Sequence, residues 1–338
     1  MAYTDSVFTA AQVELGKLFS EAELRLALRP ANTILLKNAP ALFANLQQIE
    51  DSEGTQADAF YMTRTTDTVA NARIGTHTGD PGTSAHETLA FTTYARNFSF
   101  SQKNSQHNVF NAARMMANDI YNTCADIHIA IETDSIAWFE TNKSGVNDYS
   151  GDFGTFDGTD DIFNVLNTDK DRFFSIVKTM MSAGNDYAGN LDVIFSADGQ
   201  IIFNEQAAQG VGNDKNLAYQ LAGFDFSGVT SGITTDADEL LQMYTWEKGR
   251  AAMVARIPKI NTTGLETPVA DYFTFPCPFG SGITFAVHAY WAKSDGGTYS
   301  QDVLRYYQVS VDISRGDAPL STEGETVIQK CALLTSND

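Results

Sequence analysis

The chain has 338 residues, 43% of them apolar, enough to bury a sizeable core and to fill two or three ordinary domains. Its 42 acids against 22 bases give a formal net charge of −20, the wrong sign for coating nucleic acid or for holding an anionic membrane surface. Charged residues make up only 19%, below the roughly 25% usual for a soluble monomer, so a large share of the surface is expected to be covered.

Cys124, Cys277 and Cys331 are too few, and odd in number, for a disulfide framework. They read as buried thiols in a reducing compartment. The opening "MAYTDSVFTAAQVELGKLF" is polar and helix-like, so no leader is expected. No apolar run approaches the roughly 18 residues of a membrane span. The N-x-S/T matches at Asn97, Asn142 and Asn261 are therefore read as chance.

In chain order, residues 6–28 are predicted to form an amphipathic helix, with Phe8, Ala11, Leu15 and Leu18 on one face and Ser6 as its cap. Pro30 ends it, because it disfavours helical geometry at Arg29. Residues 30–55 show no clear period and read as an arm lying on another surface. From Phe60 to Phe100, Thr, Gly and aromatic residues dominate. Tyr94, Phe98 and Phe100 share one parity and Leu89 and Phe91 the other, which predicts strands. The "GTHTGDPGTSAHE" between them is a turn-forming tip. The product is a long two-armed ribbon, which is marginal in water unless something covers it.

The clearest element follows. Val109, Ala113, Met116, Ile120, Cys124, Ile127, Ile131 and Trp138 recur at helical spacing, and neither Pro nor Gly interrupts residues 105–144. A helix of about 38 residues would be a rod of roughly 57 Å. An acidic Gly-rich loop, "GVNDYSGDFGTFDGTDD", comes next. Helix returns at 169–182 with Phe173, Ile176, Val177 and Met180 on one face. "LDVIFS" reads as a buried strand and "GQIIFNEQAAQG" as a helix. Residues 209–235 read mainly as loops, and "AAMVARIP" as a strand. Near the end, Ile283, Phe285, Val287, Ala289 and Trp291 alternate with polar or small residues. Tyr307, Val309, Val311 and Ile313 do the same, and "ETVIQKCALLT" is the last strand.

Catalytic signatures are missing. The chain has no G-x-S-x-G elbow, H-E-x-x-H, Walker loop or C-x-x-C. "GVTSG" sets Ser231 one place off the nucleophile spacing, and "GSG" at 280–282 is too short to cradle a phosphate. His77, Asp80, His86 and Glu87 are metal-ligating types in a spacing that matches no derivable site, so polar contacts at a subunit interface are the better reading. Asp148, Asp152, Asp157, Asp160 and Asp161 fail the EF-hand pattern and read as a solvated acidic loop. His128, Trp138, Trp246 and Trp291 read as packing residues. No cofactor, no metal and no enzymatic activity are expected.

The order of parts resembles the major capsid proteins of tailed bacteriophages, the Hong Kong 97 fold. The parts that carry the resemblance are an N-terminal arm, a ribbon with a Gly-rich tip, a long helix, an acidic loop, a compact region and returning strands. The resemblance is one of order and texture over nearly the whole chain. It implies an α+β fold with an N-terminal arm (1–55), an E-loop ribbon (56–104) and a P domain (105–189) built on a spine helix at about 105–144. An A domain (190–282) and P-domain return strands (283–338) complete it, the ending "DVLRYYQVSVDISRGDAPLSTEGETVIQKCALLT" looking like the family's usual one. The implied function is a coat protein that self-assembles, as hexamers and pentamers, into an icosahedral head shell around double-stranded DNA. It would enclose that DNA without sequence-specific binding and touch no membrane. Portal, scaffolding and decoration proteins are the implied partners. The virion capsid is the implied location, after assembly in the host bacterial cytoplasm.

Some members cross-link an E-loop lysine to a neighbour's asparagine. Here no lysine lies between Lys37 and Lys103, so no such bond is expected. Arg64, Arg73, His77, Asp80 and Arg96 are the expected intersubunit contacts instead. With only about 55 residues ahead of the ribbon, a scaffolding segment fused to the chain is not expected. Two alternatives stay open: another phage or surface structural module that binds calcium through 146–161, and a hydrolase or metalloenzyme using the His77–Glu87 cluster.

Overall fold

The computed structural model describes residues 6–19, 29–52, 54–62, 84–101, 112–187, 189–209, 223–258, 270–293, 303–318 and 327–336. Within them the chain is a mixed α and β fold with two larger sheets and a third of two strands.

Helix α1 spans Ser6–Leu18 and buries Phe8, Ala11 and Leu15, the face its spacing predicts. Residues 20–28 lie outside the described set. The expected arm over 30–55 is instead mostly helical: α2 is Pro30–Leu42 and α3 is Leu46–Asp51. Arg29 is extended, with φ −104° and ψ 136°, and Pro30 opens α2 where its missing N–H costs nothing. The sequence hid α2 because it is covered on several sides. Ala31, Asn32, Ile34, Leu35, Asn38, Ala39 and Leu42 are all buried, so two buried asparagines blur the apolar stripe.

Strand β1 (Gln56–Met62) pairs antiparallel with β2 (Ser84–Ala90), and these two strands form a sheet of their own. The ribbon therefore stops at residue 90. After Phe91, β3 (Thr92–Ser101) joins a different, five-stranded sheet.

Helix α4 runs Ala112–Thr141, 30 residues and so about 45 Å. Residues 105–111 of the expected span are not described, and the helix ends three residues before 144. Met116, Ile120, Cys124, Ile127 and Ile131 are buried as expected. Beyond Ile131 the buried row continues through Ser135 to Phe139, while Trp138 is only half-buried, because a true helix turns slightly less than the sevenfold step assumed.

Strands β9 (Ala251–Arg256), β10 (Ala270–Pro276), β11 (Thr284–Lys293) and β12 (Val303–Asp317) complete the five-stranded sheet with β3. Its order is β10-β11-β12-β3, with β9 on the far half of β12, and every pairing is antiparallel. Phe285, Val287, Ala289, Tyr307, Val309, Val311 and Ile313 turn inward to meet α1 and α4 in one large core.

The second sheet has the order β4-β5-β13-β8-β6-β7. Its strands are β4 (Thr155–Asp157), β5 (Ile162–Val165), β6 (Leu191–Phe195), β7 (Phe224–Val229), β8 (Glu239–Glu247) and β13 (Gln329–Leu334). A 3₁₀ turn, α5 (Phe173–Thr179) with a π-helical end, and α6 (Ala197–Gln209) pack on it. Buried α5 and β6 follow the expected pattern, but β7 and β10 were hidden in Gly- and Thr-rich sequence. The sheets cut across the expected limits at 190 and 282. Strands β9 and β10 lie with β11 and β12, and the last strand, β13, lies between β5 and β8 of the other sheet. The reason is pairing: β13 bonds β5 in parallel and β8 antiparallel, a choice alternation cannot reveal.

No described helix is long and apolar enough to cross a membrane.

Candidate functional site at the root of the ribbon

The ribbon has two unlike faces, as strand periodicity requires. Ala57, Ala59 and Tyr61 of β1, with Glu87 and Leu89 of β2, face the body, and Ala59 and Leu89 are fully buried there. Phe60, Met62, His86 and Thr88 face out, with Phe60 45% and Met62 83% exposed. The inner face sits on a small satellite core of Ala39, Leu42, Phe43, Ile49, Ala252, Val254 and Ala318. The free edge of β1 is covered by a loop. Asn45 donates from Nδ2 to the Asp58 carbonyl at 2.8 Å and accepts the Phe60 N–H at 3.1 Å.

Arg256 ties both ends of the ribbon to the body. Its side chain is only 3% exposed and it forms an ion pair with Asp312 at 3.4 Å. Its guanidinium donates to the Ser52 carbonyl at 2.8 Å, to the Ser52 hydroxyl and to the Gly54 carbonyl at 2.5 Å, all just ahead of β1. The same group lies 3.6 Å from the ring centroid of Phe91, the single residue between β2 and β3. Asp312 in turn accepts the Thr93 hydroxyl at 2.5 Å.

The ribbon's inner strand rests on Gly316 of β12. A Cβ built there would stand 2.7 Å from Glu87 Oε2, 2.8 Å from Leu89 Cδ2 and 3.3 Å from Phe43. Gly316→Ala is therefore expected to cost about 1–3 kcal/mol by overpacking. Limited proteolysis should show cleavage rising within 52–62 before any other described segment. Unchanged cleavage there would mean the ribbon does not rest on this glycine.

Beside this glycine, Glu87 Oε2 is buried with no hydrogen-bond partner. Burial, and then the nearby Asp317 charge, push the Glu87 carboxyl up to about 7 against a backbone N–H that favours its charged form. Burial raises Asp317 to about 6. Burial, then these two charges, also raise the Tyr61 hydroxyl.

A second polar assembly fixes α2 and the sheet to α4. Glu132 accepts the N–H groups of Ala31 at 3.4 Å and Asn32 at 3.2 Å, capping a helix whose own N-cap residue, Arg29, has no side-chain bond to give. Asn32 donates to the His128 carbonyl at 2.9 Å. Arg315 donates to Ser135 at 2.9 Å and to the Ile131 carbonyl at 2.8 Å, and Tyr94 donates to Asp134 at 2.5 Å. At the far end of α4, burial would raise the Glu140 carboxyl, but hydrogen bonds from Lys143, Tyr244 and Lys330 outweigh it and hold it down at about 2.

Of the residues singled out in the sequence, Arg64, Arg73, His77 and Asp80 lie outside the described residues. Arg96 is half-exposed on β3 and forms an ion pair with Asp126 of its own α4 at 2.7 Å. His86 and Glu87 point to opposite faces of β2, so they cannot act as neighbouring ligands. Asp157, Asp160 and Asp161 line an open cavity of about 420 Å³ with Glu140, Lys143, Asp236, Asp238, Glu239 and Lys330. Among the described residues, no three His, Cys, Asp or Glu side chains come together as a metal site. His128 is fully buried with Nε2 3.3 Å from Cys277 Sγ, and burial, then Arg29, lower its imidazole to about 4. All three thiols are buried and free. Arg256, Gly316 and Asp317 carried no signal in the sequence. Arg256 meets residues 204 positions away, a pairing no local spacing encodes.

No family model matches the chain, and no curated protein does. Among solved structures it is similar to one of Mycobacterium phage Che8, with a TM-score of 0.47 and 11% identity over 87% of this chain and 90% of that one. It is similar to the capsid of a native GTA particle with C5 symmetry, with a TM-score of 0.46 and 13% identity over 86% and 90%. It is also similar to the asymmetric unit of the bacteriophage PhiM1 mature capsid, with a TM-score of 0.42 and 12% identity over 85% and 84%. These TM-scores, all under 0.5, leave the reading of the chain to its own geometry.

Proposed function

We propose that the chain is the major capsid protein of a tailed bacteriophage, a Hong Kong 97-type coat subunit that assembles with its copies into the head shell. The observation that supports it best is the ribbon. Among the described residues it is two strands only, it rests on the body by its inner face, and its outer face carries Phe60 and Met62 in water. Such a ribbon gains by lying across a second copy, where those apolar groups leave solvent. In this reading β1 and β2 are the E-loop and α4 is the spine. The P domain is α1, α4 and the five-stranded sheet, and the A domain is the six-stranded sheet with α5 and α6. Weak contacts repeated over several neighbours under closed symmetry then give a stable shell.

The remaining parts of the reading follow from it. Arg64, Arg73, His77 and Asp80 are proposed to contact neighbouring subunits. Arg96, half-exposed beside Asp126, can extend that pair to a neighbour. The shell would enclose DNA without reading its sequence, in keeping with a net charge of −20. It would meet portal and scaffolding proteins, and decoration proteins where these exist. It would form in the bacterial cytoplasm and act in the virion. A structural rather than catalytic role is proposed.

The test is negative-stain electron microscopy and size-exclusion chromatography of the protein expressed alone. Shells, tubes, or rings of five or six subunits are expected. A monomer at every concentration, with residues 60–104 resistant to protease, would mean the ribbon is satisfied by its own chain and would sink the proposal.

A further inference from the structure

We propose that the open edge of β3 is a strand-addition site, where an extended segment of a second copy hydrogen-bonds to the backbone of residues 92–100 and carries the five-stranded sheet across the subunit boundary. The inference deepens the shell reading and rests on it for the identity of the partner.

Strand β3 stands at one end of the five-stranded sheet and pairs with β12 on one side only. In an antiparallel pair every second residue turns its N–H and C=O away from the partner. Among the described residues, nothing bonds those groups between Thr92 and Phe100. At ten residues β3 is the longest edge strand described, against seven for β10, six for β7 and three for β4. The approach to it is open as well, since Thr92, Thr93, Ala95, Asn97 and Ser99 are all exposed.

Other edges are guarded. The edge of β1 is bonded by Asn45, β10 ends in Pro276, which has no N–H to give, and β4 is too short to act as a template. Strand β3 has none of these devices. Its sequence "TTYARNFSFS" holds no Pro, Gly or Lys, and half of it is Thr, Tyr or Phe. Its one charge, Arg96, is drawn to Asp126 of α4 at 2.7 Å. The template is also rigid before any partner arrives. Tyr94 and Phe100 are buried, Phe98 stacks on Tyr307 at 4.8 Å, and pairing with β12 runs the full length of the strand. An incoming strand is ordered on binding, while β3 loses little freedom of its own.

Charge and position point to a second copy as the partner. Copies that each carry −20 repel, so they approach best where neither presents an acid. Thr93, Ala95, Asn97 and Ser99 make such a patch, and Tyr306 and Gln308, opposite Ser99 and Asn97 on β12, extend it. A basic partner would find no acid on this face to pair with. The edge also continues the ribbon, because only Phe91 separates Ala90 from Thr92. A copy engaged by the ribbon therefore meets β3 next.

The experiment is hydrogen–deuterium exchange of the full chain, first dilute enough for size exclusion to give single subunits, then after assembly. The amides within 92–100 that turn away from β12 should exchange freely in the dilute form and gain at least about tenfold protection on assembly. Those of β11, paired on both sides, should hold their protection throughout. Ala95→Glu with Asn97→Glu adds acids at two exposed positions. That variant should fold as the wild type does by circular dichroism, yet need about tenfold more protein to assemble. Ala95→Thr, uncharged, should assemble like the wild type. Where assembly survives every dilution, the double variant is the reference, and its 92–100 amides should exchange at least about tenfold faster than those of the wild type. A double variant that assembles normally overturns the inference. Shells whose 92–100 amides exchange as freely as in single subunits overturn strand addition and leave the shell reading standing. Oligomers with protected 92–100 that are neither rings nor shells overturn the shell reading and leave strand addition. A monomer at every concentration overturns both.

Discussion

Arg256→Ala is expected to destabilise the chain by about 3–5 kcal/mol in urea denaturation, because it leaves Asp312 buried with its charge partner gone. The loss goes beyond the ion pair. The carbonyls of Ser52 and Gly54 lose their donors, and Phe91 loses the guanidinium stacked 3.6 Å from its centroid. The strand entering the ribbon and the residue leaving it would both come free. Lysine keeps the charge but not the planar fork, so Arg256→Lys should restore less than half of the loss. A change under about 1 kcal/mol for Arg256→Ala would show that the ribbon's root is held by the satellite core alone.

Phe139→Ala is expected to cost a similar 3–5 kcal/mol by opening a cavity between the two sheets. Phe139 is fully buried near the end of α4, with ring centroids 5.6 Å from Tyr244 and 4.8 Å from Trp246, both on β8. It carries the core of the helix and five-stranded sheet into the second sheet. Trp246 fluorescence should report the change first, at lower urea than far-UV circular dichroism. Coincident transitions, or a cost below about 1.5 kcal/mol, would place the seam elsewhere.

What the sequence made legible were the elements with one clean buried face. Helix α4 showed its stripe because Met116, Ile120, Cys124, Ile127 and Ile131 all turn into one continuous apolar core. Strands β11 and β12 alternate because one face meets α1 and α4. Strand character was legible over 84–101, but the boundary between the ribbon and β3 was not, since that character continues through Phe91 while the pairing partner changes; the predicted glycine tip lies outside the described residues. Elements buried on more than one side were obscured. Helix α2 hides Asn32 and Asn38 in the interior, and β8 buries six consecutive residues, Leu241 to Trp246, including Gln242 and Thr245. The root of the ribbon was invisible for another reason. Arg256, Asp312, Gly316 and Asp317 are ordinary residues in ordinary strands until folding sets them beside residues 52–54, 87 and 91.

The place of β13 in the middle of the six-stranded sheet also sets a clock on synthesis. Residues 162–165 emerge from the ribosome long before 329–334, yet the two are hydrogen-bonded neighbours, and β8 closes on the other side of the same late strand. Until the last segment is delivered, β5 and β8 each present an open edge, the kind that captures stray strands. The six-stranded sheet thus stays unfinished until residues 329–334 have been made, whatever the state of the elements before them.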